Sequence, residues 1–183
     1  KYTLDGDLTQ HMIDMSRLNE GNKVRLANVI KKLKNGEEVT VGFIGGSITQ
    51  GTSAGNDLCY AKLTADWLQK TYSNAKINYV NAGIGATGSY IGVHRVANDL
   101  LSKNPDLVFV EFSVNDTTEN TERNKKSYDG LLRTIWKSST NTKNLSSIFS
   151  PNSMPLWSWL WMKTRNRTFS ARCLWICTST MRS

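Results

Sequence analysis

The chain has 183 residues, with 23 Lys+Arg against 15 Asp+Glu, two His, three Cys, 39% hydrophobic and 21% charged residues. That is the make-up of one globular domain long enough to bury a core. Its longest apolar stretches reach about half of the ~20 residues that a membrane-spanning helix needs, and three cysteines are too few for a disulfide scaffold, so both classes are excluded.

Lys1 stands where a Met would open a gene product, and no basic-then-apolar leader follows it. The chain therefore reads as a trimmed fragment, and its residues do not assign it to either side of a membrane. The net charge of +8 raises the question of nucleic acid or anionic membranes, and its distribution answers it. The acids stop at Asp129. Residues 144–183 carry Lys163, Arg165, Arg167, Arg172 and Arg182 with no acid, which leaves 18 bases against 15 acids, a net +3, for residues 1–143. Such a balance, without a basic-aromatic stripe, predicts no nucleic-acid partner. The same last residues hold Trp157, Trp159, Trp161 and Trp175, two of the three prolines and two of the three cysteines. The composition thus divides the chain into a domain, 1–143, and a basic Trp-rich tail, 144–183.

In chain order, Val24, Leu26, Ala27, Val29, Ile30 and Leu33 recur at helical spacing before Asn35-Gly36, predicting a helix from about Asn22 to Leu33. Val39 to Ile44 is short, β-branched and almost wholly apolar, as a strand buried on both faces must be. A helix fits Leu58 to Thr71, a strand Ile77 to Ala82, a helix Tyr90 to Leu101, a strand Leu107 to Phe112 and a helix Tyr128 to Trp136. Helices alternating with apolar strands predict an α/β fold with a parallel, doubly wound sheet and helices on both faces.

In such sheets the working groups lie beyond the carboxyl ends of the strands. Gly45-Gly46-Ser47-Ile48-Thr49 follows the first strand, Asn81-Ala82-Gly83-Ile84-Gly85-Ala86 the second and Ser113-Val114-Asn115-Asp116 the third. The glycine pair lets the backbone turn and present the Ser47 hydroxyl. The glycine-rich second loop can aim N–H groups into the same space, and Asn115 offers an amide donor. A nucleophile with two kinds of donor suits acyl transfer, in which negative charge builds on a carbonyl oxygen.

These three blocks, in this order and spacing over roughly residues 38 to 135, resemble the SGNH or GDSL hydrolases, esterases and acetylesterases among them. The resemblance implies a three-layer flavodoxin-like fold, incomplete here at its C-terminus. It also implies that Ser47 attacks an ester while the Ser47 N–H, a second-block N–H and Asn115 hold the oxyanion. The substrate class implied is a small acyl ester or an acetylated carbohydrate, with no cofactor. The family's second-block glycine falls on Ala86, beside Gly85; because a backbone N–H does the work, alanine is tolerable there if its φ is negative. Ser113 replaces the usual glycine before the third block, and Gly46 stands where the family name has Asp. The family draws its base from an Asp-x-x-His block near the C-terminus, and this chain has no histidine after His94. His11 precedes the sheet, and His94 reads as a solvated or structural residue. Without its base the serine loses about 10⁴ to 10⁶ in rate.

The tail bears on that loss. Trp has one codon, so a shifted frame can be read directly: one base earlier, with a TCN serine codon, Trp157 to Lys163 becomes four apolar positions around Val, then Asp and Glu. That is a buried strand with an acidic end. The same shift gives Leu174 to Cys177 an Asp and a His or Tyr. A frameshift between Lys137 and Leu156 is the expectation, against a basic aromatic tail that touches membrane surfaces.

Plainer readings stand beside these. Ser47 is then a small polar residue in a tight turn, Asn115-Asp116 a turn or cap, Glu111 a structural or cleft-lining carboxylate and Cys59 core packing. A phosphate or nucleotide binder would use Gly45-Gly46-Ser47 before a helix, but neither phosphate-loop pattern is present and Asn115 stays unused. A non-catalytic remnant is the third alternative. Two distant histidines and scattered cysteines predict no metal site.

Overall fold

The computed structural model describes residues 23–116, 121–141 and 146–149. Their order is α1 (Val24–Lys34), β1 (Glu38–Gly45), α2 (Ser47–Gln50), α3 (Tyr60–Thr71), β2 (Lys76–Gly83), α4 (Ser89–Asp99), a 3₁₀ turn (Leu101–Lys103), β3 (Leu107–Glu111), α5 (Thr121–Asn141) and β4 (Ser146–Phe149). The strands form one parallel sheet in the order β2-β1-β3-β4, with helices on both faces. This is the three-layer doubly wound arrangement expected from the alternation of elements.

The two-residue period of the strands sorts the core into two layers. Val39, Val41 and Phe43 of β1, with Leu107 and Phe109 of β3, meet Val29 and Leu33 of α1 and Ala61 and Leu68 of α3 on one face. Ile44, Val108, Val110 and Phe112 meet Val96 and Leu100 of the α4 region and Leu131 and Ile135 of α5 on the other. Each fully buried side chain of this size contributes about 1.5–3 kcal/mol. Phe43 stacks on Phe109 at 4.7 Å and takes Tyr60 edge-on at 5.8 Å.

Three differences from the sequence reading have local causes. Helix α5 begins at Thr121 rather than near Tyr128, because its first turns, Glu122-Arg123-Asn124-Lys125-Lys126, carry charges instead of an apolar stripe. Exposed pairs at i,i+4, Glu122–Lys126 at 3.3 Å and Asp129–Arg133 at 2.7 Å, run along it, each worth a few tenths of a kcal/mol. Helix α2 is a single turn, too short for periodicity to reveal. Strand β4 lies beyond the compositional boundary at 143 and pairs with β3 from Leu107↔Ser146 to Val110↔Phe149, so the sheet continues into residues grouped with the tail. Residues 150–183 and His11 lie outside the described residues.

Candidate active site

The register of the sheet builds the site. Gly45 of β1 lies opposite Gly83 of β2 on one side and Glu111 of β3 on the other, so three loops leave the sheet at one level. With the order β2-β1-β3, the chain reverses its winding between β1 and β3, and the crevice of a doubly wound sheet opens at that point. Ser47 follows one of these strands and Asn115 the other.

The turn out of β1 depends on Gly46. Its N–H donates to the Glu111 carbonyl at 3.3 Å, and its own carbonyl accepts from Gln50 N–H at 2.9 Å, closing the single turn of α2. A Cβ on residue 46 would stand 2.3 Å from Asn115 Oδ1 and 3.2 Å from the Thr87 carbonyl oxygen. The third block and the second-block loop therefore both close over the Gly46 backbone. A side chain in the glycine's place would have to displace the Asn115 amide. Ser47 is half-buried at the head of α2, and a Cβ on Gly85 would lie 3.9 Å from its own Cβ. All three predicted blocks meet around Ser47.

Ala86 differs from the expectation. Its φ is +58°, in the left-handed region, where an L side chain costs roughly 1–2 kcal/mol. The condition of a negative φ is not met; the position keeps the backbone of the family's glycine and bears an alanine. Gly85 N–H donates to Gln50 Oε1 at 2.7 Å, whereas among the described residues Ala86 N–H has no acceptor. Of the two neighbouring groups, only that of Ala86 is open to a ligand.

Asn115 is half-buried, its N–H bonded to the Phe112 carbonyl at 3.1 Å. Asp116, buried, accepts Ser89 N–H at 2.8 Å and so sits at the positive end of α4. Asp116 thus caps the first turn of α4 from a distant loop, while Asn115 Oδ1 lies against Gly46. Glu111 accepts both the N–H of Ser113, at 2.8 Å, and its hydroxyl. Ser113, in place of the family's glycine, thereby has a use: it ties the third block to the strand end. Burial pushes the Glu111 carboxyl above its ordinary range, the two Ser113 bonds pull it down, and the charge of Asp116 pushes it up again. Burial, reinforced by Glu111, likewise raises the Tyr60 hydroxyl, which meets Thr49 Oγ1 at 3.0 Å.

Sequence reasoning missed Gln50, the Thr49–Tyr60 pair and Arg95. The Arg95 guanidinium donates to the carbonyl oxygens of Ala82, at 2.6 Å, and Gly45, at 3.1 Å, and to Asp99 at 3.1 Å. No motif announces these residues: Gln50 and Arg95 act on backbone groups of a distant part of the chain, and Thr49 and Tyr60 meet side chain to side chain. His94 is exposed on α4. Among the described residues no histidine adjoins the three blocks by sequence, and no group of three or more His, Cys, Asp or Glu could hold a metal ion. A shallow cavity of about 490 Å³ runs along α1 between Leu26, Ala27, Ile30 and Lys31; it includes no residue of the strand-end loops.

The profile of the GDSL-like lipase/acylhydrolase family matches residues 43–177, and the chain belongs to that family. The match runs past the three blocks and into the tail. Among solved structures, a two-domain esterase active on acetylated mannans is 41% identical over 75% of this chain, with a TM-score of 0.69. An acetyl xylan esterase is 27% identical over 61% of this chain and 57% of its own, with a TM-score of 0.50. An SGNH-hydrolase family esterase at 20% identity, over 61% of this chain and 58% of its own, shares the fold at a TM-score of 0.50. The chain spans 37% of the length of the two-domain esterase. No match was found among the curated proteins.

Two outcomes follow from this geometry. Ala86→Gly relieves the positive φ, and urea unfolding should show a gain of up to about 1 kcal/mol, the glycine's larger unfolded-state entropy offsetting part of the relief; an unchanged or lower midpoint contradicts the strained backbone. For Glu111, folding favours the protonated form, so the folded chain holds an extra proton in a window opening at the ordinary value of 4.5 and extending upward. Stability contributed below that window is lost as the pH rises through it. Melting of Glu111→Gln beside the parent should show the variant gaining relative stability as the pH rises above 4.5, and a constant difference would refute the assignment.

Proposed function

We propose that this chain carries the nucleophile and oxyanion-binding half of a serine ester hydrolase that removes acyl groups, acetate foremost, from carbohydrate esters. The observation that carries this reading is the closure of the Asn115 and Thr87 loops over Gly46. This closure supports a crevice in which the Ser47 hydroxyl, the Ser47 and Ala86 N–H groups and the Asn115 amide act together. Family membership supports the reaction class, and the two similar structures that act on acetylated mannan and xylan support the substrate class. Ile84 and Val114, 44% and 47% exposed on the two loops, give the crevice apolar shoulders that suit an ester better than a phosphate.

In this reading Ser47 Oγ bonds to the ester carbonyl carbon, the hydroxyl proton passes to a base, and the carbonyl oxygen takes up negative charge. The three donors stabilise that oxyanion, and each is worth about 10²–10³ in rate. Collapse breaks the bond to the alcohol, which leaves with a proton, and water then releases the acyl group by the same path in reverse. The base is the part this chain lacks among its described residues.

The tail accounts for that lack. We infer a change of reading frame, for which the in-register strand Ser146–Phe149 favours a position between Phe149 and Leu156; residues 144–183 are then no domain of their own. Against this stands the family match to residue 177. Resequencing the gene from the Lys125 codon onward tests it. A single-base change that restores an acidic frame ending in Asp-x-x-His supports the inference, and a confirmed tail with no such frame downstream overturns it.

The nucleophile is tested on the chain as it stands. Prolonged incubation with a fluorophosphonate, followed by peptide mass spectrometry, should find a slow adduct on Ser47, about 10⁴-fold or more below a complete triad, and none in Ser47→Ala. Absence of an adduct on Ser47 favours the non-catalytic remnant, and a phosphate-dependent rise in melting temperature favours the anion binder.

A further inference from the structure

Helix α2 has four residues, so its own hydrogen bonds cannot hold Ser47 in place. What holds it is the end of β2. Residues 81 and 83, on one side of the extended strand, and Gly85, in the turn that follows it, all meet the last turn of α2. Asn81 Nδ2 donates to the Thr49 carbonyl at 2.8 Å. A Cβ on Gly83 would lie 2.3 Å from the Gln50 backbone nitrogen, so the two backbones touch there. Gly85 N–H donates to Gln50 Oε1 at 2.7 Å, and Thr52 Oγ1 donates to the same oxygen at 3.3 Å, fixing the amide.

The third contact has a chemical consequence. The loop offers two successive N–H groups, and Gln50 takes the first. The second, on residue 86 at φ +58°, has no acceptor among the described residues. We propose that Gln50 is a positioning residue that selects Ala86 N–H as the second oxyanion donor and sets its distance from Ser47. The side chain making the selection comes from the nucleophile's own helix, so nucleophile and donor move as one unit. Glutamine length is required: asparagine, one methylene shorter, falls short of Gly85 from the same backbone. The proposal rests on the reading of Ser47 as nucleophile.

Because Gln50 is exposed, its replacement should leave global stability within about 0.5 kcal/mol. Gln50→Met keeps the length and removes the acceptor; Gln50→Glu keeps the acceptor. Amide exchange by NMR in the unmodified chain should find Gly85 protected in the parent and in Gln50→Glu, and unprotected in Gln50→Met. Phosphonylation of the parent should move the Ala86 amide proton downfield and leave Gly85 in place. Gln50→Met should label at Ser47 roughly tenfold more slowly than the parent, short of the loss expected for a whole donor, at an unchanged melting temperature. Free exchange of the Gly85 amide in the parent overturns the proposal. So does labelling of Gln50→Met at the parent rate with the Ala86 shift intact, and that result leaves Ser47 as nucleophile. A parent that never labels at Ser47 removes the nucleophile and the positioning role together.

Discussion

A side chain at position 46 would have to push the Asn115 amide aside. The amide of Asn115 and the carbonyl of Thr87 both press on the Gly46 backbone, so the three strand-end loops are held in mutual contact at the point where the chain turns out of the central strand. That absence of a side chain lets a residue from the third block lean over the first. The register of Gly45 with Gly83 and Glu111 makes this possible, since parallel strands ending at different heights would deliver their loops to different levels.

Much of this was legible in the residues. The unbroken apolar runs Val39 to Ile44 and Leu107 to Phe112 can only be buried strands, and the turn after α1 is written in Asn35-Gly36, whose glycine has φ +75°. The three blocks could be found because each follows a strand. What escaped reading has a common physical character. Gln50 and Arg95 act by side-chain bonds to backbone groups far away in sequence, and backbone acceptors and donors carry no letter in the sequence. The early turns of α5 escaped because their charges are held by solvent and one another, and the sign of φ at Ala86 escaped because residue type predicts the opposite sign.

The sheet passes the compositional boundary before the tail departs from the pattern. Phe149 still pairs with Val110, and the tryptophan-rich run begins only at Trp157. The four paired strands and the three strand-end loops are thus encoded upstream of the tryptophan-rich run.

Arg95 gives that geometry an electrostatic sense. The carboxyl ends of parallel strands expose carbonyl oxygens, and a row of them facing a crevice would repel any substrate oxygen gaining negative charge. At β1 and β2 the guanidinium, only 11% exposed, draws the Gly45 and Ala82 oxygens to itself, and Ile84 N–H takes Gly45 as well. Those two acceptors are thereby satisfied within the sheet, so the ends of β1 and β2 present fewer free carbonyl oxygens to the crevice, and the same cation stitches the two strands together.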